Sequence, residues 1–204
     1  MPQPLLAPRK MPRQARAQVT RNTLLEAATH IIRRGGLAAF NTNAVAERAG
    51  VSIGSLYQYF PNKDALMVAL IHQQQRRQLA NAEAALTNLA DADFETAVRT
   101  LVRAAMQHHR DDTLLATALD HEEARLPLSD VLAEYLDQGG GALAPLFHRY
   151  RDQMGAIDPS RAMRTIPALV KSAVDCWANN SPPDLDIAED EAVRAVCGYF
   201  YNSR

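Results

Sequence analysis

Apolar residues recur at helical spacing along the first part of the chain. Between Arg16 and Arg34 they stand at i, i+1, i+4, i+7 and i+8, at Leu24, Leu25, Ala28, Ile31 and Ile32. This spacing places them on one face of an amphipathic helix, and the Gly35–Gly36 pair predicts the end of that helix. Asn41 or Thr42 is suited to cap a second, short helix that runs to Ala49.

Capping and breaking residues predict helices over the rest of the chain as well. Ser52 is suited to cap a short helix that stops at Pro61. Further helices are predicted from Asn62 to about Leu79, from Asp91 or Asp93 to about Arg110, from an Asp111–Asp112 cap to before Pro127, from Ser129 to the Gly139–Gly141 run, from Pro159 to Trp177 and from Asp186 to Tyr201. Asp186 and Glu189 form a predicted capping box. No segment alternates with period two, so we expect an all-α fold.

Composition narrows the class of protein. The 204 residues include only 9 glycines, and 47% of them are hydrophobic and 22% charged, which is typical of a folded domain. Cys176 and Cys197 are too few for a disulfide framework or a four-cysteine zinc site. No apolar run reaches the roughly 18 residues of a membrane span, and the start lacks the apolar stretch of a secretory signal. We therefore expect a soluble, cytoplasmic protein.

The formal net charge of −1 is the sum of a basic first part and an acidic second part of the chain. Residues 1–63 carry nine Lys or Arg against two acids, which gives +7, and residues 64–204 carry thirteen against twenty-one, which gives −8. A basic part suits a polyanion, because neutralising phosphates releases counterions. The acidic part would be repelled by the same partner, so the two parts are expected to bind different ones.

The stretch from Asn41 to Lys63 predicts a helix-turn-helix. Two short helices flank Gly50, which tolerates the positive φ that a tight turn requires. Apolar residues are spaced to pack the two helices crosswise, and they are Val45, Ala46, Ala49, Val51, Leu56 and Phe60. In such a motif the second helix enters the major groove of DNA while the first crosses the backbone.

The outward face of the second helix carries chemistry suited to DNA. With Leu56 and Phe60 turned inward, the opposite face presents Gly54, Ser55, Gln58 and Tyr59, and Tyr57 lies beside it. Gly54 lets backbone N–H groups approach phosphate, and Ser55 and Gln58 can reach base edges. The tyrosine hydroxyls, the Lys63 ammonium and the Thr42 hydroxyl suit phosphate oxygens.

These residues closely resemble the amino-terminal signature of the TetR family of bacterial transcriptional regulators. The matching residues are Thr42, Val45, Ala46, Ala49, Gly50, Val51, Ser52, Gly54, Leu56, Tyr57, Tyr59, Phe60, Lys63 and Leu66. The one departure is Val45, where the family usually has isoleucine. The match covers about a quarter of the chain, roughly residues 17–66.

The resemblance implies an all-α homodimer built from a three-helix DNA-binding domain and a larger helical ligand-binding and dimerisation domain. On this chain we expect a flexible basic arm at 1–15, a DNA-binding domain at 16–63 and an effector-binding and dimerisation domain at 64–204. The positions expected to contact DNA are Thr42, Ser52, Ile53, Gly54, Ser55, Tyr57, Gln58, Tyr59 and Lys63. Arg13, Arg16 and Arg21 either add phosphate or minor-groove contacts or belong to a solvated tail.

Two apolar stripes in the last helices suggest a dimer interface. They are Ala168, Leu169, Ser172, Ala173, Cys176 and Trp177, and Ala192, Val193, Val196, Cys197, Phe200 and Tyr201. The residues expected to form the interface are Leu169, Ala173, Trp177, Val193, Val196 and Phe200. The alternative is that a stripe faces its own core. A twofold dimer would place two recognition helices one DNA turn apart, about 34 to 36 Å, and so predicts a palindromic operator.

The expected function is a ligand-responsive repressor, released from its operator by a small, mainly apolar effector. Candidate effector-binding residues are His72, Met106, His109, Phe147, Tyr150 and Trp177, although such residues are often only core. No cofactor is expected, and the two cysteines are interpreted as packing residues. The alternative is a helix-turn-helix DNA-binding protein with no effector.

A run of possible metal ligands is the best sign of an enzyme. It comprises His108, His109, Asp111, Asp112, Asp120, His121, Glu122 and Glu123. A helical metal-dependent hydrolase would suit it only loosely, because the spacing of the metalloprotease motif is missing. A metal-binding regulator that uses His108 or His121 is a further alternative. Solvated helix ends explain the run more simply, so we expect no metal site and no enzyme.

Overall fold

Helices make up the described part of the chain. The computed structural model describes residues 13–87, 89, 92–126, 144, 146–154, 157–177, 180 and 183–201. Its helices are α1 (Arg13–Ala39), α2 (Thr42–Ala49), α3 (Ile53–Tyr59), α4 (Lys63–Leu86), α5 (Phe94–Asp111), α6 (Thr113–Arg125), α7 (Arg151–Met154), α8 (Pro159–Trp177) and α9 (Leu185–Tyr201). No strand occurs in these ranges, which confirms the predicted all-α fold. None of these helices is both long and apolar enough to cross a membrane.

The chain divides into two compact units, one ending at Ala69 and the other beginning at Leu70. The domain limits expected from the sequence remain a prediction. In the first unit, the apolar stripe of α1 is buried together with residues from α2, α3 and the start of α4. The buried side chains are Leu24, Leu25, Ala28, Ile32, Phe40, Val45, Leu56, Phe60, Leu66 and Met67. This small core fixes α2 and α3 against α1.

Helix ends in the first unit follow the capping residues. Asn41 accepts a hydrogen bond from the Ala44 N–H at 2.9 Å and so caps α2, and Asn62 does the same for α4 through the Ala65 N–H at 2.8 Å. α1 continues beyond its expected end, but Gly36 has φ 62° and ψ −166°, so the regular helix is interrupted at the predicted glycines.

The second unit is built on an aromatic cluster between α5 and α9. Phe94 lies edge-on to Tyr150, Phe200 and Tyr201, with ring centroids 5.6, 5.5 and 5.8 Å apart. The Tyr150 hydroxyl donates to the Ala92 carbonyl at 2.6 Å, which satisfies its polar end. Aliphatic residues of α5, α8 and α9, with Met106 among them, complete this core.

An ion cluster also joins α5 to α9. Glu189 is only 3% exposed. Its carboxylate accepts two hydrogen bonds from Arg103, at 2.7 and 3.1 Å, and one from Arg110 at 3.0 Å. Arg99 lies 3.8 Å away. The three guanidinium groups allow a carboxylate to be buried here without an uncompensated charge.

This cluster overturns the predicted capping box of the last helix. Asp184, not Asp186, caps α9, accepting from the Ile187 N–H at 3.1 Å. Asp186 instead pairs with Arg110 at 2.8 Å. The capping-box pattern was misleading because Glu189 is used by arginines from α5, and no local pattern shows those partners.

The predicted bounds of α4, α5 and α6 differ from those in the structure chiefly at the end of α4. Asp93 and Asp112 cap α5 and α6 as expected, accepting from Thr96 and Leu115 N–H groups. α4 runs to Leu86, one to two turns beyond the predicted Leu79, because the alanine-rich continuation favours helix. The helix predicted from Ser129 to the Gly139–Gly141 run lies outside the described residues.

Replacing Glu189 with glutamine should lower the free energy of unfolding by about 1–3 kcal/mol, because three arginines would lose their charged acceptor. The measurement is the urea midpoint followed by circular dichroism. Glu191→Gln is the matched control, because that side chain is exposed and pairs only with Arg194, so its cost should stay below about 0.5 kcal/mol. Equal midpoints for the two variants would contradict this role of Glu189.

Candidate functional site

The corner between α2 and α3 is set by Gly50. Its φ of 67° and ψ of 29° lie in the left-handed region. The Gly50 N–H donates to the Glu47 carbonyl at 3.1 Å, and the Val51 N–H donates to the Ala46 carbonyl at 3.0 Å. This pair of bonds is the Schellman motif, which ends a helix and turns the chain sharply. The predicted turn is therefore confirmed in its geometry.

The orientation of α3 follows from its cap and its two apolar anchors. Ser52 accepts from the Ser55 N–H at 3.1 Å, and the two hydroxyl oxygens lie 2.9 Å apart. Leu56 and Phe60 are buried in the core of the first unit. Since both anchors point inward, the opposite side of this seven-residue helix is turned toward solvent.

The outward face of α3 forms one continuous stripe. Ile53, Gly54, Tyr57 and Gln58 are all exposed, and Tyr57 is 48% exposed. These positions are spaced i, i+1, i+4 and i+5, which puts them on one side of a helix. A Cβ added to Gly54 would meet only the Ser52 hydroxyl oxygen, at 3.9 Å, so nothing in the chain requires glycine there.

Two side chains from neighbouring helices border the stripe. The Thr42 hydroxyl at the start of α2 lies 3.3 Å from the Tyr57 hydroxyl, within hydrogen-bonding distance. The Lys63 ammonium, at the start of α4, sits 5.3 Å from the centre of the Phe40 ring. Lys63 is exposed, so this cation–π contact holds its charge beside the stripe while leaving it open to solvent.

Tyr59 and Arg21 are placed differently from expectation. Tyr59 is half-buried, and Tyr57 takes the central exposed place that the sequence interpretation gave to Tyr59. Ser55 and Thr42 are half-buried too. The Arg21 guanidinium lies 5.7 Å from the centre of the Phe60 ring, where it covers the core. The side chain of Arg13 lies outside the described residues.

Family models match both units. The model of bacterial regulatory proteins of the tetR family matches residues 24–70, which include the whole helix-turn-helix. The model of the tetracyclin repressor-like C-terminal domain matches residues 93–200, more than half of the chain. The chain belongs to the TetR family. The resemblance inferred from the Asn41–Lys63 motif is thus confirmed over both units.

Individual HTH-type transcriptional regulators match part of the chain in sequence. The regulator UidR of Escherichia coli is 33% identical over 81 residues, 40% of this chain. The repressor KstR of Mycolicibacterium smegmatis is 42% identical over 57 residues, 28% of this chain. The matched segments span only 41% of UidR and 28% of KstR. The matches thus cover less than half of the length of these relatives.

The fold as a whole is that of solved TetR-family regulators. FadR of Bacillus subtilis, determined in complex with stearoyl-CoA, superimposes with a TM-score of 0.68 at 19% identity, and the match covers 87% of this chain and 98% of FadR. A TetR-family regulator from Streptomyces coelicolor gives a TM-score of 0.66 at 22% identity over 89% of this chain and 99% of its own. At these identities the likeness concerns the fold alone.

A second group of polar residues lies inside the second unit of this TetR-family chain. The His109 Nε2 atom is 3.1 Å from the Asp120 carboxylate, and the rings of His108 and His109 are 4.3 Å apart. Lys171 approaches Asp120 at 3.7 Å. The Gln75 amide donates to Glu123 at 3.0 Å. We call His108, His109 and Asp120 together the His–Asp cluster.

Burial perturbs the ionisation of this cluster. Desolvation, with the neighbouring His109, lowers the pKa of His108 to about 4, so its imidazole is neutral near pH 7. Burial raises the pKa of Asp120, but the hydrogen bond from His109 and the charge of Lys171 outweigh it, and the net pKa lies below the usual value. Burial and the nearby Asp120 raise the pKa of Glu123.

The interpretation of this run as solvated helix ends holds only in part. His121 and Asp111 are exposed, but His109 and Glu122 are buried, with His109 only 3% exposed. The sequence interpretation failed here because α6 folds back along α5 and brings Asp120 to His109. Gln75, Gln78 and Lys171 were not identified from the sequence, because no spacing in the chain links α4, α5 and α8.

The effector candidates fall into two environments. Met106 and Tyr150 are buried in the core of the second unit, and Phe147 and Trp177 are half-buried against it. His109 belongs to the His–Asp cluster, and His72 is half-buried on α4. The structure therefore brings four of the six together around the aromatic core. Their role in binding an effector remains a prediction.

The dimer candidates also separate into groups. Val193, Val196 and Phe200 are buried in the core of their own chain, as are Ala192 and Cys197. Leu169, Ala173 and Trp177 are half-buried against that core. Ala168, Ser172, Cys176 and Tyr201 are exposed. Little surface of the three buried residues is left for a partner, so the interface itself remains a prediction and would rest on their exposed neighbours.

The two glycines of the helix-turn-helix should respond oppositely to alanine. Gly50→Ala should lower the free energy of unfolding by about 1–2 kcal/mol, because alanine is strained at φ 67°. Gly54→Ala should keep or raise it by up to about 1 kcal/mol, because alanine favours the helix and meets open space. Thermal unfolding followed by circular dichroism measures both. A loss of stability in Gly54→Ala would contradict the open surface.

Proposed function

We propose that this TetR-family protein is a homodimeric transcriptional repressor that binds a palindromic operator and is released by a small, mainly apolar effector. The observation that carries the proposal is the exposed stripe of α3, held outward by the buried Leu56 and Phe60. Tyr57 and Gln58 there have no role in the core of their own unit. Side chains placed in this way are available for the edges and phosphates of duplex DNA.

Charge supports DNA as the partner of the first unit. Within residues 1–63 there are only two acids, Glu26 and Glu47, against nine basic residues. The exposed Lys63 at the start of α4 adds a positive charge, and the Thr42 and Tyr57 hydroxyls, 3.3 Å apart, supply phosphate donors. Gln58 is suited to pair with an adenine edge, and Ile53 to touch a thymine methyl group. We infer that Ser52, Gly54, Ser55 and Tyr59 complete the contact surface.

The exposed face of α8 supports a dimer. Ala168 and Ser172 are small and exposed there, whereas the larger apolar residues Ile166, Leu169 and Val170 pack against the core. On α9, a Cβ added to Gly198 would meet nothing within 4 Å, so this helix also offers an open, small-residue surface. Small residues allow close approach of helices from a second copy. A twofold dimer would present two α3 helices to successive major grooves.

We assign the effector to the second unit because of its apolar and aromatic side chains. Met106, Phe147, Tyr150 and Trp177 gather around the aromatic core, which suits an apolar molecule. FadR of Bacillus subtilis, whose fold this chain shares, is described in complex with stearoyl-CoA. A lipophilic effector should raise the melting temperature of the purified protein and weaken its binding to the operator. A thermal-shift screen in which no lipophilic compound acts would oppose this part of the proposal.

The experiment that tests DNA binding starts by recovering genomic fragments retained by the purified protein and sequencing them. On a recovered site, Lys63→Ala should weaken binding and make the salt dependence shallower by about 1.8 in log K against log salt, because a dimer would lose two phosphate contacts. Fluorescence anisotropy over a salt titration measures the slope.

Lys171→Ala is the matched control, because it removes the same charge from the second unit and should leave the slope unchanged. Circular dichroism checks that loss of the Phe40 contact has not unfolded Lys63→Ala. Identical slopes for the wild type and Lys63→Ala would remove the phosphate role of Lys63. Failure to retain any DNA at low salt would remove the proposed function itself.

The dimer is tested by placing a long charged side chain on the exposed face of α8. Ala168→Arg should weaken self-association by about tenfold or more, equivalent to about 1.4 kcal/mol, because two arginines would meet across the twofold interface. Sedimentation equilibrium measures the dissociation constant. Ala84→Arg, at an exposed alanine of α4, is the control and should leave it unchanged. A monomeric wild type, or equal dissociation constants for both variants, would contradict the assigned interface.

A further inference from the structure

We propose that His108, His109 and Asp120 bind a divalent transition-metal ion of the Zn²⁺ class. Each residue offers one ligand atom, and these atoms all lie within 4.8 Å of one another. The three residues come from the end of α5 and the middle of α6, inside the second unit. The inference goes beyond the proposed apolar effector, and it does not depend on DNA binding.

His108 is already oriented as a ligand. Its Nδ1 lies 2.9 Å from the Ala105 carbonyl, which identifies Nδ1 as the protonated nitrogen that donates to this oxygen. The other nitrogen, Nε2, then carries a lone pair, and the Gln78 amide nitrogen lies 3.0 Å from it. A backbone carbonyl that fixes the tautomer of a histidine is the usual support of a metal-binding imidazole.

His109 supplies the second, independent observation. Its Nε2 lies 3.1 Å from the Asp120 carboxylate, so one ion could bind both atoms when Nδ1 carries the ring proton. The Nδ1 atom is buried and has no hydrogen-bond partner among the described residues. Within the described part of the chain, the polar contact of this ring, which is only 3% exposed, is therefore made through Nε2 and faces Asp120.

Asp120 provides the charge and the route of access. Its side chain is 21% exposed, in contrast to the buried His109, so an ion can reach the cluster from solvent. One carboxylate and two imidazoles form a donor set that suits Zn²⁺, Co²⁺ or Ni²⁺ and not Mg²⁺ or Ca²⁺, which prefer oxygen ligands. Three protein ligands leave at least one position for water or a small solute.

A simple His109–Asp120 ion pair accounts for only part of this arrangement. It explains the 3.1 Å contact, but not the fixed tautomer of His108, whose ring centre lies 4.3 Å from that of His109. Lys171 is the one basic group shown near the carboxylate, and it lies 3.5 Å from Asp175 as well as 3.7 Å from Asp120. It can therefore stay paired with Asp175 when an ion takes its place at Asp120.

The test uses the full chain without a histidine tag, titrated with Zn²⁺ by calorimetry and with Co²⁺ by visible absorption. We expect one ion per chain, the visible bands of nitrogen-coordinated Co²⁺, and no binding of Mg²⁺. His108→Ala and Asp120→Asn should each weaken Zn²⁺ affinity by more than about 100-fold. Gln78→Ala should not weaken it, because the Gln78 amide donates to the Nε2 lone pair of His108 that the ion would take. His121→Ala, at an exposed histidine of α6, is the matched control and should bind as the wild type does.

Lys171→Met distinguishes an ion site from a merely structural cluster. Removing this charge should strengthen Zn²⁺ binding by about 5- to 10-fold, because the lysine repels the ion and competes for Asp120. Damage to the fold would weaken binding instead, and circular dichroism verifies that each variant is folded. Absence of Zn²⁺ binding, equal losses in His108→Ala and His121→Ala, or weaker binding in folded Lys171→Met would each overturn the proposal.

Discussion

Burial of Leu56 and Phe60 is the constraint on which the first unit depends. A helix of seven residues is too short to be stable by itself, so α3 exists because these two side chains pack against the core formed with α1 and α2. Their burial also fixes the rotation of α3 about its axis. That rotation sends Tyr57 and Gln58 outward, and the proposed recognition of DNA follows from it.

Glu189 plays the corresponding part in the second unit. Its carboxylate joins α9 to arginines on α5, while Phe94 and Phe200 bring the same two helices together through their rings. Because the apolar stripe of α9 packs against α5, Val193, Val196 and Phe200 are buried in the core of their own chain. The surface left for a second copy consists of small and polar residues of α8 and α9.

Two buried polar groups of the second unit, Glu189 and the His–Asp cluster, differ in the charged partners that the described residues give them. Glu189 has three arginines around one carboxylate, and every one of those contacts is accounted for within the chain. Among the described residues, the His–Asp cluster has Lys171 near Asp120 and a buried imidazole nitrogen without a partner. We infer that the first group stabilises the fold, whereas the second is the place of the proposed ion.

The sequence by itself determined the helical fold and the family, through the spacing of apolar residues and the Asn41–Lys63 motif. It also determined most helix ends, because caps such as Asn41, Ser52 and Asp93 act through hydrogen bonds within three residues. It also indicated that Gly54 and Gln58 face outward, since Leu56 and Phe60 are one turn apart on one side. That Ile53 and Tyr57 complete the exposed face, while Ser55 and Tyr59 are half-buried, came only from the structure. Only the tertiary structure decided the partners of Glu189 and the meeting of His109 with Asp120. Those contacts join residues from separate helices, and the spacing of residues along one helix carries no information about the neighbour it packs against.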